Sequence, residues 1–119
     1  MNKARQIVDA KRSVLQLAEA GYVQQKQRTD ITVYGKQLLG LFYIGANTML
    51  SGNYISEHDV KISQKLGYVI AGGDLSAPTK VSEQYLLDLE REAFLSLTGE
   101  KKTLERIQSI LTRGKPLRN

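Results

Sequence analysis

The chain has 119 residues and a formal charge of +5, which allows one modest core and excludes two independently folding domains. It has no cysteine, so a disulfide framework and thiolate chemistry are excluded, and no apolar run reaches the roughly 20 residues of a membrane span. The opening MNKARQIVDAKRS lacks the apolar core of a signal peptide, so the expected location is the cytoplasm.

Residues 3–20 read as an amphipathic helix, with Ala4, Ile7, Val8, Val14, Leu15 and Ala18 near one stripe. Gly21 offers a left-handed stop, with Tyr22–Val23 expected to pack back on the last turn. QQKQRTD is polar and aperiodic, hence a loop, and Ile31–Thr32–Val33 is a short extended piece. Residues 36–50 are apolar nearly all round, the pattern of a buried helix. Gly40 or Gly45 inside it would admit a close neighbouring backbone.

Residues 57–71 form the next expected helix. Ser56 followed by Asp59 resembles a capping box, and Glu57 and Asp59 suit the positive end of the helix dipole. Ile62, Leu66, Val69 and Ile70 recur at helical spacing until Gly72–Gly73. His58, the single histidine, falls in what should be the exposed first turn. Flanked by Glu57 and Asp59 it invites an acid–base reading, but nothing nearby tunes its pKa or positions a substrate, so the structural cap is favoured over catalysis.

Residues 83–98 carry Ser82 as N-cap, Val81 and Leu86 at the two staple positions, and Leu86, Leu89, Ala93 and Leu97 down one face, which Phe94 and Tyr85 should broaden. A last helix over 101–113 should turn Leu104, Ile107 and Leu111 inward, with Gly114 closing it and Pro116 beyond. The expectation is an all-α fold, a single helical domain over 1–119 with five helices and short loops.

Charge is unevenly placed. Residues 1–36 hold seven Lys/Arg against three Asp/Glu, residues 37–100 four against eight, and residues 101–119 six against one. A solvated charged face explains this most simply, and an anionic ligand at the basic tail is the alternative. A small basic nucleic-acid-binding or adaptor protein is the competing function, disfavoured by the acidic middle and the lack of a nucleic-acid motif. Neither glycine-rich phosphate cradle is present. His58 with Glu57 and Asp59 does not make a zinc set, and no nucleophile–base arrangement can be argued. The residues alone give no catalytic site and no metal site.

From residue 52 onward the sequence resembles a known family. GNYISEHDVKISQKLGYVIAGGD, VSEQYLLDLEREAFLSL and the terminal GKPLRN are similar, in order and spacing, to the C-terminal end of bacterial bifunctional 3-hydroxyacyl-CoA dehydrogenase/enoyl-CoA hydratases of fatty-acid β-oxidation. IVDAKRSVLQLAEAGY looks like the part preceding that block. The resemblance implies a helical C-terminal part of a larger enzyme, without catalysis of its own, whose upstream dehydrogenase and hydratase domains are its packing partners. It implies NAD and acyl-CoA as ligands of the parent, none of them held by this chain alone. The apolar helix 36–50 would then have partners in those missing domains, so the chain alone should expose apolar surface or self-associate. The RGKP stretch, residues 113–116, is similar to a basic ending that lies near the CoA phosphates, which would make Arg113 and Lys115 the phosphate-facing positions. Gly114 stands where that pattern has a further basic residue.

Overall fold

The computed structural model describes residues 5–119, so the expected helix start at residue 3 and Ala4 of its stripe lie outside the described residues. Among the described residues there are five helices: α1 (Gln6–Glu19), α2 (Lys36–Ser51), α3 (Glu57–Ala71), α4 (Glu83–Thr98) and α5 (Lys101–Arg113). The fold is mostly helical, as the periodicity indicated. The extended piece is strand β1 (Ile31–Val33), which pairs antiparallel with β2 (Thr79–Val81), Ile31 opposite Val81. Three residues of period-two pattern were too few to reveal the pairing, because a strand's partner is set by distant chain.

Local chemistry defines most boundaries. Ser56 Oγ accepts from the Asp59 amide at 3.2 Å and the Asp59 carboxylate accepts from the Ser56 amide at 2.9 Å, a complete capping box. Such a cap is worth about 1 kcal/mol. Ser82 caps α4 through the Tyr85 amide at 3.1 Å. At the end of α3, Gly72 takes φ 79°, and the amides of Gly72 and Gly73 close on the Val69 and Tyr68 carbonyls. The end of α1 repeats this motif, with Gly21 at φ 80° and the Tyr22 amide on the Leu17 carbonyl. The Tyr22 and Val23 side chains stay exposed rather than packing back.

The tightest packing joins α2 to α3 and both to the small sheet. A Cβ on Gly67 would lie 2.6 Å from the Phe42 ring, so the ring of α2 is seated directly on the α3 backbone. Gly72 makes the second close approach: a Cβ there would collide with Val33 of β1. Main-chain bonds from Gly35 to Ala71 (2.8 Å) and from Lys36 to Leu75 (2.9 Å) stitch the start of α2 to the end of α3. Tyr85 of α4 donates its hydroxyl to the Gly72 carbonyl at 3.0 Å. Val33 and Ala71 are the most buried apolar residues of this knot.

Several expected faces turn out otherwise. Gly40 and Gly45 have no neighbour within 4 Å of a built Cβ, so neither is the close-approach glycine of α2–α3; Gly67 is. Helix α2 buries only Leu39 and Ala46, and Leu41 and Ile44 are 64% and 67% exposed. In α3 the packed positions are His58, Val60, Gly67 and Ala71, whereas Leu66 and Ile70 of the expected stripe are exposed. In α5 the inward positions are Thr103, Arg106, Ile107 and Ser109, and Leu104 and Leu111 face outward. Helix α4 keeps the line of its expected face, with Leu86, Leu89, Ala93 and Leu97 inward, but Phe94 and Tyr85, expected to broaden it, are exposed. Helix α1 buries nothing at all.

The physical reason is shared. An apolar stripe predicts that a face is covered, and here much of that surface has no cover within the chain. A compact chain of this length has a radius of gyration of about 13.5 Å; this one measures 20.0 Å. A folded monomer of 13.3 kDa exposes about 6,500 Å², whereas this chain exposes 9414 Å². The excess is about 3,000 Å².

Candidate functional site

His58 is buried, at 4% exposure, which corrects its expected place in an exposed first turn. The second position of a helix is exposed only when nothing crosses it, and here α5 does. His58 Nε2 lies 2.9 Å from Thr103 Oγ1 of α5. Burial, and after it the Arg106 cation, push the imidazole pKa below its ordinary value, so the ring is neutral at pH 7.

Arg106 is the centre of the same junction. It donates Nη1 to the Asp59 carboxylate and Nη2 to Ser56 Oγ at 3.2 Å. It thereby joins the α3 capping box to α5. Hydrogen bonding by Arg106, then by the Ser56 amide, holds the Asp59 carboxyl down at about 2. Lys61 and Glu100 add an outer ion pair at 2.8 Å. This constellation is a clamp: each flanking carboxylate is either committed to Arg106 or, like Glu57, exposed, so none orients His58 as a base.

The tail folds back along α5. Ser109 Oγ donates to the Lys115 carbonyl at 2.9 Å, and Arg106 donates to both the side-chain and main-chain oxygens of Asn119, at 2.7 and 3.1 Å. Asn119 Nδ2 returns a bond of 2.8 Å to Glu105. Arg113 and Lys115 flank the Gly114 turn, where φ is 63°, and both are exposed. Among the described residues neither forms an ion pair. The fixed turn presents two cations to solvent, and Arg113 also borders a groove of about 470 Å³ with Leu104, Ser109 and Leu117.

Apolar grooves form the other candidate surface. Between α3 and α4, an open groove of about 520 Å³ is lined by Ile62, Leu66, Val69, Leu87, Phe94 and Leu97, with Glu90 and Arg91 among its polar lining. Leu66 also borders a second groove of about 370 Å³, whose other walls include Leu38, Leu41, Gly45 and Met49 of α2. The two share Leu66, so one apolar band runs across α2, α3 and α4. No three His, Asp or Glu side chains converge as a metal set among the described residues, and no described helix is long and apolar enough to cross a membrane.

Over all 119 residues the chain is 44% identical to a segment of the "Probable 3-hydroxyacyl-CoA dehydrogenase" of Bacillus subtilis (strain 168). The chain spans about 15% of the length of that curated relative. It is therefore similar to one segment of a 3-hydroxyacyl-CoA dehydrogenase. No family model matches the chain, and no solved structure matches it.

Sequence reasoning missed Arg106, Thr103, Asn119 and Gly67. A lone Arg or Thr on a charged helix carries no periodic signal. The one available hint was the carboxylate at the third position of the α3 cap, which is short of partners unless a cation faces it.

Proposed function

We propose that this chain is a helical packing and oligomerisation module of a 3-hydroxyacyl-CoA dehydrogenase of fatty-acid β-oxidation that also carries enoyl-CoA hydratase activity. In this reading the module lies at the C-terminal end of the enzyme, and NAD and acyl-CoA chemistry belong to the rest of the polypeptide. The observation that carries the proposal is the uncovered apolar band on α2, α3 and α4 in a chain whose whole length matches a small part of a dehydrogenase. Contiguous exposed apolar surface marks an interaction face, and the excess of about 3,000 Å² far exceeds the roughly 800 Å² per partner of a standard interface.

Arg113 and Lys115 have a second, smaller role in this reading, as point charges facing the CoA phosphates. Their exposure and the absence of ion pairs support it, as does their placement on either side of a turn anchored by Ser109.

The test is deletion of the matching segment from the Bacillus subtilis relative, followed by measurement of its native mass and of NADH formation from 3-hydroxyacyl-CoA. The expected result is loss of the native assembly, with aggregation or a smaller species, and no NADH formation by the 119-residue chain alone. Unchanged mass and unchanged turnover in the deleted enzyme would overturn the proposal.

A further inference from the structure

Helix α5 is docked largely through polar groups. Its one buried residue is Ser109, Ile107 is half-buried, and Leu104, Ile110 and Leu111 face solvent. The bonds from α5 to the first turns of α3 are His58 to Thr103 at 2.9 Å, Arg106 to Asp59 and Ser56, and the Lys61–Glu100 ion pair at 2.8 Å. Only Gly99 and Glu100 connect α5 to α4, a hinge short enough to absorb a change of direction in two residues. A contact of this kind responds to charge, as an apolar one does not.

His58 sits inside that contact at 4% exposure, and the charges facing it are unequal in sign. Arg106 and Lys102 come from α5 and Lys61 from α3, while Glu100 at the start of α5 is the carboxylate that opposes them. Glu100 is already paired with Lys61. Of the two carboxylates flanking His58 in α3, Asp59 is bound by Arg106 and Glu57 is exposed. A neutral imidazole satisfies Thr103 through Nε2. An imidazolium keeps that bond but adds a fourth cation to a site shielded from water. The cost disappears once α5 turns away and the ring meets solvent, so proton uptake and release of α5 are linked. Docking is complete above the ordinary value of 6.5 and weakens as the pH falls, by up to about tenfold per pH unit for one proton.

We propose that α5, with the tail folded back on it, is a proton-sensitive latch: it closes on the capped start of α3 while His58 is neutral and swings out about Gly99–Glu100 when the ring takes up a proton. The tail travels with the helix, because Ser109 holds Lys115 and Asn119 is bound by Arg106, Lys102 and Glu105, all within α5. Opening therefore uncovers the α3 capping box and carries Arg113 and Lys115 away with the turn between them. Asp59 and Glu100 are both held below their ordinary carboxyl values by their cations, so they stay ionised down to about pH 5 and leave His58 as the titrating group of the contact. The inference stands apart from the packing-module reading.

Because the chain has no cysteine, spin labels on Leu66→Cys in α3 and Gln108→Cys in α5, both exposed positions, report the separation of the two helices by pulsed electron resonance. The expected result is a single short distance at about pH 7.5 and a second, longer population at about pH 5, with the helical signal in circular dichroism unchanged. His58→Gln, which can still donate to Thr103 but cannot titrate, should hold the short distance at both pH values. Lys102→Glu, a surface change that sets a carboxylate near the ring, should shrink the longer population at the lower pH, and it serves in place of His58→Gln if that variant does not fold. Identical distances at the two pH values overturn the latch. So does an opening that neither variant diminishes, or one accompanied by loss of helix throughout the chain, which is acid unfolding rather than release of α5.

Discussion

Arg106 on α5 and Asp59 in the first turn of α3 form a hydrogen-bonded ion pair that is 18% and 29% exposed on its two sides. The same carboxylate completes the α3 capping box, and the same guanidinium holds Asn119 of the tail. One pair therefore links helix initiation, the α3–α5 contact and the folded-back tail.

Replacing Arg106 by Ala should cost about 1–2 kcal/mol, since the pair is partly screened and Asp59 keeps its Ser56 bonds. Urea unfolding followed by circular dichroism measures it. Loss of less than about 0.3 kcal/mol would show that the clamp is incidental. Arg106→Lys should recover only part of the loss, because a single ammonium cannot serve Asp59, Ser56 and Asn119 together.

Acid should destabilise the chain in two windows. The folded-state pKa of His58 lies below its ordinary 6.5. The unfolded chain therefore takes up the proton first, and stability present above about pH 6.5 falls as the pH drops toward the folded value. Asp59 is lowered from 3.8 to about 2, so its contribution is complete above about pH 4 and is lost as pH falls through about 2. A pH series of unfolding free energies reads both. His58→Gln should flatten the upper window alone, and an unchanged slope there contradicts the buried, neutral imidazole.

Glycine substitutions on the paired helices should have opposite signs. Gly67→Ala drives a methyl into the Phe42 ring and should cost about 1–3 kcal/mol. Gly40→Ala meets open space and should stabilise α2 by up to about 1 kcal/mol. Thermal midpoints of the two variants against the parent decide this. Equal effects would mean that α2 and α3 do not meet at Phe42 and Gly67.

On the proposed reading, the double change Arg113→Gln and Lys115→Gln in the whole dehydrogenase should weaken acyl-CoA binding by about 3- to 10-fold, as for the loss of two exposed charge contacts. The loss should shrink at high salt, where such contacts are screened. Titration calorimetry at two salt concentrations checks this. Identical affinities for variant and parent would remove the two residues from the CoA site.

What could be read from the sequence was what the chain settles locally. Ser56 with Asp59, Ser82, Gly72 and Gly114 each act within a turn of their own position, and they delimit helices where the periodicity put them. Direction of packing was not local. Leu66 and Leu104 belong to apolar stripes, but which face is covered depends on neighbours that the stripe does not name. His58 illustrates the same limit, since its burial comes from Thr103, forty-five residues away. The candidate site divides in the same way: Arg113 and Lys115 are exposed, which a solvated tail gives as readily as a ligand-facing one, while the Arg106 clamp was invisible before α3 and α5 were brought together.

Apolar surface left open for a partner should show itself in sedimentation velocity of the 119-residue chain over a range of micromolar concentrations. The expected mass lies above 13.3 kDa and rises with concentration. A compact 13.3 kDa monomer at every concentration would contradict it.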